Sequence, residues 1–176
     1  MGLTGWVAIV CEGPSERRLM ERLIAMDSLC FEKCQIIGDR PYVRKEIRLA
    51  LPQIHALPPT DEVTILRVGD TLTDAFNPKE YDLGFRFSQG RLAIRKACTK
   101  PEIEILAILS CDKVHEFMKS GMKPKGFLRG IIKKPKDFYD FLEGISEEDL
   151  IGCIKKYKLW KGRSQKEDCL ADYLKR

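Results

Sequence analysis

Long apolar runs are absent from this sequence of 176 residues. No stretch approaches the ~18 uninterrupted apolar residues that a membrane-spanning helix needs, so such a helix is excluded. The first residues also lack the features of a signal peptide, which has a basic segment followed by an apolar segment and then small residues. We therefore expect a cytoplasmic protein. Internal repeats, low-complexity segments and clear linkers are missing as well. The length corresponds to about one domain.

Histidine is scarce, with only His55 and His115 in the chain. The seven cysteines are odd in number and scattered, so we expect reduced thiols, several of them buried, rather than a disulfide framework. Cys30 and Cys34 have the spacing of half a zinc site, but no second close pair accompanies them. The sequence therefore disfavours zinc.

Charge is distributed unevenly along the chain. Residues 1–88 carry 11 Lys/Arg and 13 Asp/Glu, a net of −2, whereas residues 89–176 carry 20 and 13, a net of +7. A polyanion would therefore be attracted mainly to the second half. A solvated lysine-rich surface explains the same pattern equally well.

The beginning of the chain predicts a strand, a tight turn and a helix. Residues 6–11 form a continuous apolar run that ends at Glu12-Gly-Pro14, as in a strand buried on both faces of a parallel sheet. Pro14 suits the first turn of a helix, and apolar residues then recur at helical spacing as far as Ile24.

The remaining pattern predicts an α/β fold with a mainly parallel, right-handed sheet flanked by helices. We expect a short strand at 34–37, a helix at 42–56 and a strand at 63–68 that leads into Gly69-Asp70. Residues 71–100 are predicted to be a long loop with one helical turn. The apolar segment at 101–109 could be a strand, but Pro101, Glu102 and Glu104 at its start favour a helix, with a continuation at 113–119. Further helices are predicted at 136–142 and at 147–157, the last capped by Ser146 with Asp149.

Carboxylates follow two of the predicted strands. Chemistry in an open α/β sheet gathers where strands end, and here Glu12 and Asp70 stand at such ends, with Asp74 and Glu104 further along. Carboxylates that meet at one edge repel each other unless a cation lies between them, and oxygen ligands of this kind suit Mg²⁺ or Mn²⁺. The alternative is that Glu12 and Asp70 merely cap neighbouring helices.

Three segments resemble the motifs of the TOPRIM fold. Val10-Cys-Glu-Gly-Pro-Ser-Glu16 looks like its first motif, in which a buried strand delivers a glutamate into a Gly-containing turn, and a later strand ends at Asp70. Pro101-Glu-Ile-Glu104 resembles the third signature of a small prokaryotic TOPRIM group that includes the RloB-like and OLD-type nucleases. The resemblance covers roughly residues 6–120. It implies a TOPRIM-like domain at 1–120, followed by a basic helical extension at 121–176 packed on the same domain.

The resemblance also implies roles for individual residues. Glu12 would be a metal ligand or general acid/base, Asp70 the first aspartate of the Asp-x-Asp pair and Glu104 the acid of the third motif. The second aspartate should stand at position 72, but the residue there is Leu72. Asp74 is the nearest substitute, so the expected metal ligands are Glu12, Asp70 and Asp74.

Basic residues of the second half form two groups with aromatic residues among them. Cations neutralise phosphates and aromatic rings can stack on bases, although Phe127, Tyr157 and Trp160 are more often core residues at such spacing. Lys133 or Lys134 is a candidate for stabilising transition-state charge. The predicted nucleic-acid-binding residues are Lys123, Lys125, Arg129, Lys134, Lys156 and Lys158.

These features favour a Mg²⁺-dependent nuclease that hydrolyses phosphodiester bonds in DNA or RNA. The group that the chain resembles often acts in prokaryotic defence against phage or in toxin-like systems, and a separate ATPase subunit is the expected protein partner. Leu72 favours the alternative, a non-catalytic module that holds nucleic acid or a partner protein. A phosphohydrolase for a small substrate is a third possibility, but no Gly-rich phosphate loop supports it.

Overall fold

A computed structural model describes residues 3–70, 76–131, 137–160 and 167–175. Within these ranges the strands are β1 (Trp6–Cys11), β2 (Tyr42–Val43), β3 (Val63–Gly69) and β4 (Leu92–Cys98). The α-helices are α1 (Pro14–Ala25), α2 (Leu51–Ala56), α3 (Gly84–Ser88), α4 (Ile105–Ser110), α5 (Val114–Ser120), α6 (Pro124–Ile131), α7 (Phe138–Gly144) and α8 (Glu147–Leu159).

All pairings in the sheet are parallel, and the strand order is β2-β1-β3-β4. β1 pairs with β3 along its whole length, from Trp6 opposite Val63 to Cys11 opposite Val68. The two strands therefore end almost level, which places the residues after them at one edge. The predicted first strand, the helix that follows it and the strand at 63–68 are confirmed.

Apolar side chains cover both faces of the sheet. One face packs against α1, α4, α7 and α8 through residues such as Leu19, Ile108 and Leu150. The other packs against the segment that includes Ile47 and Ile54. This arrangement follows from central strands that are apolar on both sides, and it confirms the predicted α/β class with helices flanking a parallel sheet.

The predicted strand at 34–37 and the helix at 42–56 are wrong in detail. Ile36 forms only an isolated bridge with Val7, whereas the strand beside β1 is Tyr42–Val43. A 3₁₀ helix then runs over Arg44–Leu49, and α2 begins separately at Leu51. Pro52 accounts for the division, because proline is tolerated in the first turn of a helix but not in its interior.

The helical turn predicted within 71–100 is present as α3, but the long loop is wrong, because this segment also contains β4. β4 pairs with β3 from Leu92 opposite Val63 to Cys98 opposite Gly69. Arg95 and Lys96 interrupt the apolar pattern, as charged residues often do on an edge strand. Residues 71–75 of the segment lie outside the described residues.

The helices of the second half differ from the prediction mainly at their ends. The predicted continuation of the helix at 101–109 is a separate helix, α5, because Asp112 adopts a left-handed conformation with φ of 53° between α4 and α5. α4 itself begins only at Ile105. The helix predicted at 147–157 is confirmed, and the Ser146 hydroxyl caps it by accepting from the Asp149 amide.

Segments after residue 120 share one core with the sheet. α8 packs on α4, and α7 packs on α1. The last described residues return to the first half, where the Cys30 amide donates to the Tyr173 carbonyl at 2.8 Å. All seven cysteines are free thiols, and four of them are buried, as predicted. No helix in the described part of the chain is long and apolar enough to cross a membrane.

Candidate metal and catalytic site

Two neighbouring strand ends bring Glu12 and Asp70 together. The Glu12 amide continues the β1–β3 ladder by donating to the Val68 carbonyl at 2.8 Å, and the Glu12 carboxyl group lies close enough to that of Asp70 to raise its pKa. Burial, followed by the charge of Glu12, raises the pKa of Asp70.

Gly69 makes room for this carboxyl pair. A Cβ atom at position 69 would lie 2.3 Å from Glu12 Oε2 and 2.6 Å from Glu12 Cβ, closer than side chains pack. The Glu12 side chain therefore crosses directly over the end of β3. A glycine at a strand end often marks such a close approach.

Glu16 belongs to the same cluster, although it is not among the site residues that the sequence predicts. Its side chain is buried, with 8% exposure. Burial first, and then the charges of Glu104, Glu12 and Asp70, raise the pKa of Glu16 to about 7. The signal that could have identified it is its position in the first turn of the helix that directly follows the strand-end Glu12.

Glu104 approaches the cluster from the segment before α4. Burial raises the pKa of Glu104, the charge of Glu102 acts in the same direction, and Lys125 and Arg129 oppose it. Glu102 Oε2 also accepts a hydrogen bond from the Lys125 amide at 3.1 Å. The beginning of α6 is thereby held beside the carboxyl groups. Glu16 links the two sides of the cluster, because it responds electrostatically to Glu104 as well as to Glu12 and Asp70.

Helix capping does not explain Glu12 or Glu104. The N-cap of α1 is Gly13, and that position makes no side-chain capping bond. Glu104 occupies the N-cap of α4 but its side chain likewise accepts no capping hydrogen bond. The cluster instead consists of carboxyl groups in which burial, together with the charge of neighbouring carboxylates, raises the pKa of Glu16, Asp70 and Glu104.

The carboxyl cluster fits a hard divalent cation. A cation between Glu12 and Asp70 would offset the repulsion between their carboxylates. Mg²⁺ is commonly held by one or two carboxylates, with water and substrate phosphates completing its shell. Among the described residues no three His, Cys, Asp or Glu side chains are arranged to hold an ion, so these two residues are the candidate ligands within that part of the chain. The third predicted ligand, Asp74, lies outside it, as does Leu72.

The predicted nucleic-acid-binding residues lie in separate parts of the structure, around α6 and on α8. Lys123, Lys125 and Arg129 are exposed on or just before α6, and the last two lie close enough to Glu104 to lower its pKa. Lys156 pairs with Asp112 at 3.5 Å, and Lys158 pairs with Asp172 at 2.5 Å. α6 therefore supplies the cations beside the carboxyl groups. Lys133 and Lys134 lie outside the described residues.

The aromatic residues among these cations belong mostly to the core. Phe127 and Tyr157 are buried, and Trp160 packs against the same core. The Tyr157 hydroxyl donates to the Lys100 carbonyl at 2.6 Å, which fixes α8 against the end of β4. Phe127 and Tyr157 are therefore not available for stacking on bases.

Comparisons of this chain with known protein families, with curated proteins and with solved structures find no match.

Proposed function

We propose that this protein is a metal-dependent nuclease of the TOPRIM type that hydrolyses phosphodiester bonds in DNA or RNA. The observation that carries the proposal is the Glu12–Asp70 carboxyl pair at adjacent ends of parallel strands, with buried Glu16 beside it. The three sequence motifs that resemble TOPRIM add support. In such sheets, ligands bind outside the carboxyl ends of the strands.

In this proposal, Glu12 and Asp70 hold Mg²⁺ or Mn²⁺. The bound ion supplies charge stabilisation for a phosphodiester and lowers the pKa of bound water. Glu16 can take up or release a proton near neutral pH, because its pKa is about 7 and a general acid/base works best near the operating pH. Lys125 and Arg129 attract the phosphate backbone to the same edge.

The biological setting follows from the resemblance alone. We propose that the protein acts in prokaryotic anti-phage defence or in a toxin-like system, with a separate ATPase subunit as its partner.

The exposed cations of α6 beside the carboxyl cluster favour nucleic acid over a small uncharged substrate, since they add positive charge where phosphates would approach.

A second candidate function is a non-catalytic module that holds nucleic acid or a partner protein. Leu72, at the position where the TOPRIM pattern has its second aspartate, favours this candidate. Leu72→Asp discriminates between the two, because restoring a carboxylate should strengthen metal binding if the site is only weakened.

Cleavage assays with Glu12→Gln test the proposal. The substitution keeps the shape of the side chain but removes its charge, and we expect nuclease activity in Mg²⁺ or Mn²⁺ to fall on the order of 10²-fold or more. Glu116→Gln, a change at an exposed glutamate paired with Lys113, is the matched control and should keep full activity. Wild-type protein that cuts neither DNA nor RNA, with its partners present, would leave the binding module as the function.

A further inference from the structure

A cavity of about 780 Å³ opens at the amino ends of β3 and β4, far from the carboxyl cluster along the strands. It lies between the sheet, the end of α8 and the last described residues, with Thr64, Ala93, Leu159 and Tyr173 in its lining. Ligand pockets in proteins span roughly 300–1,000 Å³. The cavity is thus large enough for a small molecule, and the proposed nuclease chemistry does not use it.

Polar residues interrupt the apolar face of the sheet at this cavity. Thr64, Leu66 and Val68 alternate onto one face of β3, and the last two are buried in the core beneath α4 and α8. Thr64 is 5% exposed, and its hydroxyl has no hydrogen-bond partner among the described residues. In the adjoining strand, Ala93 lies opposite Thr64, and Arg95 lies opposite Leu66. The hydroxyl of a largely buried threonine therefore lines the cavity, on the same face of the sheet as a cationic side chain.

Positive charge is in excess around the cavity. Five cationic and three acidic side chains line it. Arg91 pairs with Glu62 at 3.6 Å, and Lys158 pairs with Asp172. Arg95 on β4 and Lys155 on α8 form no ion pair with any described residue. β4 and α8 thus each contribute to the lining a cation that forms no ion pair of its own among the described residues, while the third acid, Asp168, accepts a hydrogen bond from the Tyr173 hydroxyl.

The wall at the end of α8 is apolar. Leu159 is the last residue of that helix, is 81% exposed and lines the cavity together with Leu3 and Leu174. A large aliphatic side chain gains free energy when a ligand removes it from water, at roughly 25 cal/mol per Å² of apolar surface. The cavity therefore combines a cationic side with an apolar side.

We propose that this cavity binds a phosphate monoester that carries an apolar or aromatic group, such as a nucleoside monophosphate. Arg95 and Lys155 contact the phosphate, the Thr64 hydroxyl donates to it, and Leu159 covers the apolar group. A phosphate monoester carries about −1.5 to −2 charges near neutral pH and has three acceptor oxygens, which match two cations and a hydroxyl donor. The site is independent of the carboxyl cluster and does not rest on nuclease activity.

Titration calorimetry with adenosine monophosphate, adenosine and inorganic phosphate tests the proposal. We expect adenosine monophosphate to bind at least tenfold more tightly than either of the others, because only it engages both sides of the cavity. No binding of adenosine monophosphate would overturn the proposal. Equal binding of adenosine would overturn it too, since the cations would then contribute nothing.

Variants locate the site. Arg95→Gln combined with Lys155→Gln should weaken binding of adenosine monophosphate at least tenfold, whereas Lys156→Gln, one position along α8 and paired with Asp112, should not change it. Glu12→Gln should also bind normally. An unchanged affinity of the double variant would contradict the proposal.

Amide chemical-shift mapping on the wild-type protein provides a second measurement that needs no substitution. We expect the ligand to shift the amides of Thr64, Ala93 and Leu159. Shifts confined to Glu12, Asp70 and their neighbours would instead place the ligand at the carboxyl cluster and overturn the proposal.

Discussion

At the scale of single residues, Glu16 shows how burial and neighbouring charge create a group that titrates near neutral pH. A solvated glutamate has a pKa of about 4.3, but Glu16 is enclosed beside Glu12, Asp70 and Glu104, and its pKa rises to about 7. Burial also raises the pKa of Asp70 and of Glu104. The folded protein consequently binds protons at this edge that the unfolded chain has already released.

Stability should therefore fall as the pH rises through the range set by Glu16. Between about pH 4.5 and 7 the folded state holds more protons than the unfolded state, so the free energy of unfolding decreases with pH, by at most about 3 kcal/mol for this residue. Glu16→Gln should flatten this dependence. Urea denaturation at several pH values from 4.5 to 8 measures it, with Glu116→Gln as control.

A wild-type stability that rises with pH over the same range would contradict the assignment. So would a Glu16→Gln profile that is parallel to that of the wild type. Added Mg²⁺ should restore stability at the upper end of the range, because a ligand that binds only the folded state stabilises it.

At the scale of elements, the sequence predicts β1, α1, β3 and α8 well. Each has a clear pattern of apolar residues and is bounded by residues that typically begin or end such an element. Pro14 begins α1, and Ser146 caps α8. β4 was not predicted, because it is an edge strand and contains charged residues that interrupt its apolar pattern. The pairing of Glu12 with Asp70 could be expected from parallel strand ends. The burial of Glu16 could not, because it depends on how the segment around Glu104 packs from a distance in sequence.

Arg86 joins two elements that sequence patterns did not connect. Its guanidinium group is buried in α3 and donates hydrogen bonds to the carbonyl oxygens of Pro58, Asp61, Ile54 and Leu57, at 2.5 to 3.2 Å. These carbonyls lie at the end of α2 and in the turn that leads to β3. Arg86 thereby satisfies backbone groups that have no partner within the helix.

Arg86→Met should destabilise the protein by about 2 kcal/mol or more. Methionine fills much of the space but leaves the Leu57 and Asp61 carbonyl groups without their donor, and each unsatisfied buried group costs about 1–3 kcal/mol. Arg91→Met, at a more exposed arginine that pairs with Glu62, is the control and should change stability by less than about 1 kcal/mol. Equal losses for the two variants, measured by urea denaturation, would contradict this account of Arg86.

At the scale of the whole molecule, opposite charges meet at one edge of the sheet. The first half of the chain is net negative and supplies Glu12, Glu16 and Asp70, while the net positive second half supplies Lys125 and Arg129 beside Glu104. The negative first half and the positive second half of the sequence thus place opposite charges side by side at this edge. Cations that attract phosphate stand next to carboxyl groups that suit a metal ion.

Binding of nucleic acid should therefore depend on salt through α6. The logarithm of the binding constant should fall linearly with the logarithm of the salt concentration, and Lys125→Gln with Arg129→Gln should reduce that slope by roughly 2 if each cation contacts one phosphate. Lys113→Gln with Lys119→Gln, two exposed positions before and on α5, serve as the control pair. An unchanged slope in the α6 variant would place the contact surface elsewhere.

Binding of Mg²⁺, measured by calorimetry in buffers of different ionisation enthalpy, tests the central claim most directly. We expect wild-type protein near pH 7 to bind the ion with release of protons, because a cation beside the cluster lowers the raised pKa of Asp70 and that of Glu16, which is about 7 without the ion. Glu12→Gln and Asp70→Asn should each abolish binding, whereas Glu116→Gln should bind as the wild type does. Wild-type protein that binds no Mg²⁺ or Mn²⁺, or Glu12→Gln protein that binds with unchanged affinity, would contradict the claim that these strand ends form a metal site.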